Sequence, residues 1–216
     1  MTRRPQAIPD AAPPAMSRRG CRPNSEMRVR LIDAGGQVIG DHGYAGCSIA
    51  RITARARIAH GGFYHHFDSR QAFFDAMLPT LGARLLRAIG RAVLDCRDLL
   101  ELERRGFTAG FAYLRDHPYL FRVLFEAEQF ARDAFTVWRD QITAGYVKAL
   151  RRLGPGTPLA RESDEALEAL ATMLIGARSQ LLMRYAVTGG AVLPLSDAHV
   201  AAYIAFVAPR LTGATG

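Results

Sequence analysis

The chain has 216 residues, enough to bury a sizeable core as one large domain or as a small domain fused to a larger one. Its net charge is +8, and residues 1–70 hold 11 Arg against five acidic side chains, so most of the excess lies at the amino end, as a footprint on phosphate would. Three scattered cysteines exclude a disulfide framework or zinc knuckle and imply a reducing, cytoplasmic setting; no apolar run is long enough for a membrane span, and no signal-peptide core follows the leading arginines.

Residues 1–24 hold five prolines and five arginines with few large apolar groups. Such a segment buries too little surface to offset its ordering entropy, and it is expected to be a disordered basic tail. A first helix is predicted over 25–40 from the stripe Met27, Leu31, Ala34, Val38 and Ile39, ended by Asp41-His42-Gly43. Residues 48–67 then read S-I-A-R-I-T-A-R-A-R-I-A-H-G-G-F-Y-H-H-F. Ile49, Ile52 and Ala56 give a short helix one apolar stripe. Ile58 breaks that register, as a plug between two helices would, and Phe63 and Phe67 share a face of a second short helix. This is the helix-turn-helix pattern. His60, Gly61, Gly62, Tyr64 and His65 are left free of packing, and they are small or carry hydrogen-bonding groups, so that face can approach a nucleic-acid groove closely.

Asp68, with Gln71 as a reciprocal cap, is expected to open the next helix, kinked at Pro79. Further helices are predicted over 99–116, from His117-Pro118 onward, over 131–153, from 163 to Gly189-Gly190, and over 196–211. Residues 154–158, G-P-G-T-P, form the clearest loop. No stretch alternates as a sustained strand, so the fold is expected to be all-α with about nine helices.

The residues around the motif resemble the TetR family of transcriptional regulators. The match runs over about residues 25–75. It is carried by Gly43-Tyr44, Cys47-Ser48-Ile49, Ile52, the run from Ile58 to Phe67, and Asp68-Ser69-Arg70 at the opening of the fourth helix. The resemblance implies a helix-turn-helix DNA-binding domain over 25–70 and a larger helical ligand-binding and dimerisation domain over 71–216. It also implies that Ser48 and Arg51 meet phosphates and that His60, Gly61, Gly62 and His65 lie nearest base edges. Tyr64 and Arg70 would hold the DNA backbone on the far side, with an internal packing role for Tyr64 equally open. Three positions depart from the family pattern: Arg57 stands where the turn has glycine, Ala59 replaces a capping Ser or Thr, and Thr53 replaces alanine at the closest helix approach. If position 57 needs positive φ, its side chain costs about 1 kcal/mol.

In the second half, Phe107, Phe111, Phe125, Trp138 and Tyr146 are dense in aromatics, and a cavity among their helices would be apolar with few polar groups. Arg178 lies on the inward stripe Leu167, Leu170, Leu174, Leu181, Tyr185 and needs a partner there. Either it meets an anionic group on a ligand, or it pairs with Glu126 or Glu128 or joins a dimer contact. Gly176, Ala177 and Leu181 with Val200, Tyr203, Ile204 and Val207 are the expected dimer seam.

His60 and His65 are five apart and lack a carboxylate or thiol at ligand spacing, so no metal is expected, and Cys47 reads as a packing residue. No nucleophile–base pair, paired carboxylates or phosphate loop stands out, so neither catalysis nor a cofactor is expected. The reading is therefore a cytoplasmic, ligand-responsive regulator, a repressor. It would bind a near-palindromic site on double-stranded DNA as a homodimer and be released by a small, mainly apolar effector. A helical protein-interaction module and an all-α enzyme are the alternatives.

Overall fold

The computed structural model describes residues 22–188 and 191–213. The expected disordered tail lies outside them except for its last three residues, which begin the first helix. Eight α-helices account for most of the described chain: α1 Arg22–Gly46, α2 Ile49–Ala56, α3 Arg70–Ala92, α4 Leu99–Asp116, α5 Tyr119–Phe130, α6 Arg132–Leu153, α7 Asp164–Leu181 and α8 Asp197–Thr212. A short 3₁₀ helix, His60–His65, follows α2 and completes the motif. Among the described residues no helix is long and apolar enough to cross a membrane. The all-α expectation holds, with one small addition. Two-residue strands β1 (Val187–Thr188) and β2 (Ala191–Val192) form an antiparallel hairpin pairing Val187 with Val192. The helix expected to reach Gly189-Gly190 thus stops at Leu181 and passes through a π-turn, Leu182–Ala186, into that hairpin.

Local chemistry explains the boundaries. Hydroxyls of Ser48, Ser69, Ser163 and Ser196 accept from backbone N–H groups in the first turns of α2, α3, α7 and α8, and the Asp98 carboxylate does so for α4. The cap of α3 is therefore Ser69, not Asp68, and the Gln71 amide instead donates to Asp75 and to the Phe130 carbonyl. Pro79 lies inside α3, which runs on unbroken to Ala92. The α1 backbone departs from helical geometry at Gly43 (φ 68°, ψ 172°), where the sequence signals a stop.

Two cores hold the molecule. One gathers Leu31, Ile39, Tyr44, Ile52, Phe63, Phe73, Met77, Leu81, Leu120 and Val123, joining the helix-turn-helix to α3 and α5 without a seam at residue 70. The other packs Leu99, Phe107, Leu150, Leu167, Leu174, Tyr203, Ile204, Val207 and Leu211 at the far end. Tyr203, Ile204 and Val207, expected on a dimer seam, are thus interior residues of their own chain. The apolar stripe of α8 turns toward α4 and the loop before α7. Of the other seam residues, Ala177, Leu181 and Val200 are half-buried against that core and Gly176 is exposed.

Candidate functional site

The motif folds as a buried edge beneath an exposed one. Phe63 and Phe67 are buried in a cluster of rings with Phe73, while Ile58 packs between the helices. That packing forces the remaining residues outward. Ser48, Arg51, His60, Gly61, Tyr64, His65 and Arg70 are exposed, and Gly62 is half-buried against Ile58. A Cβ at Gly61 would meet nothing within 4 Å among the described residues, so no contact there demands glycine. Tyr64 is 52 % exposed, its ring edge-on to Phe63 and near His60, and its hydroxyl bonds to nothing among the described residues.

The arginines around this surface divide their donors. Arg51 donates to the Gly46 carbonyl (2.6 Å) and Arg70 to the Tyr44 carbonyl (2.5 Å), which closes the end of α1 onto α2 and α3. Both remain exposed. Arg28 lies over the Phe67 ring and donates to the His66 carbonyl, and Arg55 pairs with Asp41. Arg57 closes α2 in the left-handed region (φ 54°, ψ 50°), the one non-glycine residue with positive φ among those described. The strain expected there is present. Thr53 is buried, its hydroxyl bonded back to the Ile49 carbonyl, and Ala59 gives the 3₁₀ helix no side-chain cap. Burial pushes the Cys47 thiol up to about 11 despite Arg70 and Arg51 nearby, in keeping with a packing role.

The motif is bolted to α5. The Tyr44 N–H donates to the Glu126 carboxylate (2.9 Å) and the Tyr44 hydroxyl to the Val123 carbonyl (3.1 Å). Arg122 donates to Glu126 (2.8 Å) and to the Gly40 carbonyl (3.3 Å). A Cβ at position 43 would lie 2.6 Å from Arg122 Nη2, the movable end of a long side chain, so it is the positive φ that requires Gly43.

On the other side of α5 is a cavity of about 650 Å³. Phe107, Phe111, Phe125, Trp138, Tyr146 and Arg178, the six residues expected to meet a ligand, all lie on its wall. Arg178 does not pair with Glu126 or Glu128. Its partner is Glu103 of α4, at 2.5 Å from Nη2, with the carboxylate 1 % exposed. Tyr203 donates to the same carboxylate (2.7 Å) and accepts from Arg178 Nε (3.1 Å), and Tyr146 donates to the other carboxylate oxygen. Burial opposes the charge on Arg178, but Glu103 and Tyr203 outweigh it and hold the guanidinium pKa above its ordinary value. Burial, with Glu103, likewise raises the Tyr203 hydroxyl pKa against the opposing pull of Arg178.

The motif and the fold both have counterparts among known proteins. Residues 31–77 match the family model described as bacterial regulatory proteins, tetR family. That stretch runs from α1 through the helix-turn-helix into α3, and there the chain is similar to the tetR family. It is 36 % identical over 69 residues to the HTH-type transcriptional repressor DhaR of Mycobacterium sp. (strain GP1), an alignment covering 32 % of this chain and 35 % of DhaR. Alignments with the first curated relatives span only about a third to a half of their lengths. Among solved structures, a TetR-like transcriptional regulator from Rhodococcus sp. RHA1 shares the fold with a TM-score of 0.64 at 22 % identity, covering 87 % of this chain and 97 % of that one. AibR, solved in complex with isovaleryl coenzyme A and operator DNA, does so with a TM-score of 0.63 at 15 % identity, covering 88 % and 100 %.

The family match is thus concentrated in the motif and the helices beside it. Sequence reasoning missed Glu103, although its place in the stripe Leu99, Leu102, Glu103, Phe107 was a signal, a carboxylate on an inward face. It also missed Glu126 as the residue that receives Tyr44. No local spacing connects positions 82 residues apart.

Proposed function

We propose that the chain is a ligand-responsive transcriptional regulator that binds a near-palindromic operator as a homodimer and is released by a small, mainly apolar effector. The observation that carries this reading is the outward face of the 3₁₀ helix. His60, Gly61, Tyr64 and His65 stand clear of the core while Phe63 anchors the helix from beneath. Phosphate contacts from Ser48, Arg51, Tyr64 and Arg70 would set register, and His60, Gly61, Gly62 and His65 would face base edges. Repression is the sign favoured, because DhaR, 36 % identical over 69 residues, is a repressor. A cytoplasmic location goes with a DNA target, and the effector role of the cavity is supported by AibR, which shares the fold and holds both a small molecule and operator DNA.

For the homodimer, the supporting feature is the outer face of α7 and α8. Met173 of α7 is 64 % and Phe206 of α8 76 % exposed, and Gly176 on α7 and Ala202, Ala205 and Pro209 on α8 are exposed as well. Such a face joined to its copy would build a four-helix contact and set the two reading helices about 34 Å apart, one DNA turn. The deciding experiment is a salt titration of binding to duplex DNA, followed by footprinting upstream of the chain's own gene. The regulator gives a steep linear fall of log affinity with log salt and a symmetric protected site. A helical interaction module gives neither.

A further inference from the structure

Resting on the reading of the cavity as an effector site, we propose that Glu103 sets the charge class of the effector. The cavity takes an uncharged, mainly apolar molecule that places one hydrogen-bond acceptor on Arg178 Nη1, and Glu103 turns carboxylates away. Arg178 is the strongest donor on the inner wall, and an arginine in an apolar cavity ordinarily invites an anion. Here that invitation is already answered. Glu103 bonds Nη2 through its side chain (2.5 Å) and more weakly through its own carbonyl (3.4 Å), while Tyr203 takes Nε (3.1 Å). The rings of Phe107, Tyr146 and Tyr203 surround the guanidinium, with centroids 5.4–5.9 Å from its carbon.

Two consequences follow from the atoms. The Arg178–Glu103 pair carries no net charge, so an incoming carboxylate gains little attraction and meets a buried like charge beside the guanidinium. Yet Nη1 has no acceptor among the described residues, and Arg178 lines the cavity, which leaves this nitrogen available to a ligand carbonyl or ether oxygen. Glu103 is held in place by both tyrosine hydroxyls and is not free to swing away. Much of the remaining wall is apolar, with Leu85, Ile89, Leu102, Phe111 and Leu114, while the buried Trp138 indole N–H, without an acceptor among the described residues, offers a second donor for the same kind of neutral oxygen. Glu128 and Arg139 are exposed and of opposite sign, so they add no net attraction for an anion.

Trp138 is the sole tryptophan of the chain and lies on the cavity wall, so its emission reports occupancy. The full chain is titrated with methyl decanoate, 2-decanone and sodium decanoate at neutral pH. The ester and ketone are expected to perturb the emission saturably and to bind at least about tenfold more tightly than decanoate, a difference of about 1.4 kcal/mol. In Glu103→Gln the guanidinium loses its counter-charge, and the order moves toward decanoate. Should that variant fail to fold, the wild-type ratio alone decides. Decanoate binding as tightly as the ester overturns the proposal, and so does an emission that none of the three probes changes. Operator binding, measured on the same preparation, keeps the two readings apart. A chain that binds DNA but prefers decanoate loses only this inference, and one that binds the ester but no DNA loses only the regulator reading.

Discussion

Glu126 receives the backbone N–H of Tyr44 at 2.9 Å, which fixes the end of α1 to the middle of α5. The same helix turns Leu124, Phe125 and Glu128 toward the cavity. A shift of α5 on ligand binding would therefore reach the DNA-reading motif through Tyr44 without passing along α3. Whatever the route, the effector releases DNA only if it binds the released state more tightly.

Glu126→Ala tests this contact. It removes a charge-assisted acceptor from the Tyr44 N–H and the partner of Arg122, which at a half-buried site costs about 1–2 kcal/mol of stability. Operator affinity should fall about three- to tenfold, because the reading helices lose their fixed spacing. The response of Trp138 emission to an apolar ligand should stay the same. Unchanged operator affinity would rule the contact out as a coupling element.

Arg57 holds positive φ without being glycine, so Arg57→Gly should stabilise the fold. The relief of left-handed strain, about 1 kcal/mol, exceeds the entropy glycine adds to the unfolded chain only modestly. A rise of roughly 1–4 °C in melting temperature is expected. The salt dependence of DNA binding should lessen by no more than about one counterion, since one exposed cation is lost. A lower melting temperature would mean that the Arg57 side chain makes a contact worth more than its strain.

How far the sequence reaches is visible at these positions. The left-handed turn at Arg57, the plug Ile58, the outward set from His60 to His65 and the limits of α4 were all legible, because each depends on neighbours within a turn or two. The face of α8 was not. A period of 3.6 groups Tyr203, Ile204 and Val207 together but cannot say whether they meet their own chain or a copy. The Glu103–Arg178 pair, 75 residues apart, was likewise invisible to spacing. The end of α7 was overrun because Leu182 to Ala186 are good helix formers, and only pairing between β1 and β2 diverts them.

Gly61→Ala separates reading from folding. A methyl there meets nothing among the described residues and suits a helix better than glycine, so stability should hold or rise by up to about 1 kcal/mol. The methyl projects from the surface proposed to enter the groove, so operator affinity should fall by about tenfold or more. Gel-shift titration alongside thermal denaturation checks both. Wild-type affinity in Gly61→Ala would move the DNA contact away from this face.

Phe206→Glu addresses the proposed pairing of copies. Phe206 is 76 % exposed on α8, so the substitution removes no internal packing, and the monomer should keep its melting temperature at low concentration. On a two-fold interface each residue acts twice, so the change places two carboxylates on the shared face, and association should weaken by about a hundredfold or more. Light scattering on eluting protein should show a shift to the monomer mass, with operator binding losing the gain from two linked half-sites. Tyr203→Ala is the contrast. It strips a buried ring from the stack with Phe107 and a donor from Glu103, and should lower stability by about 3–5 kcal/mol instead. If Phe206→Glu stays dimeric while Tyr203→Ala folds normally as a monomer, the seam lies on the inward stripe after all, and the face bearing Met173 and Phe206 serves some other contact.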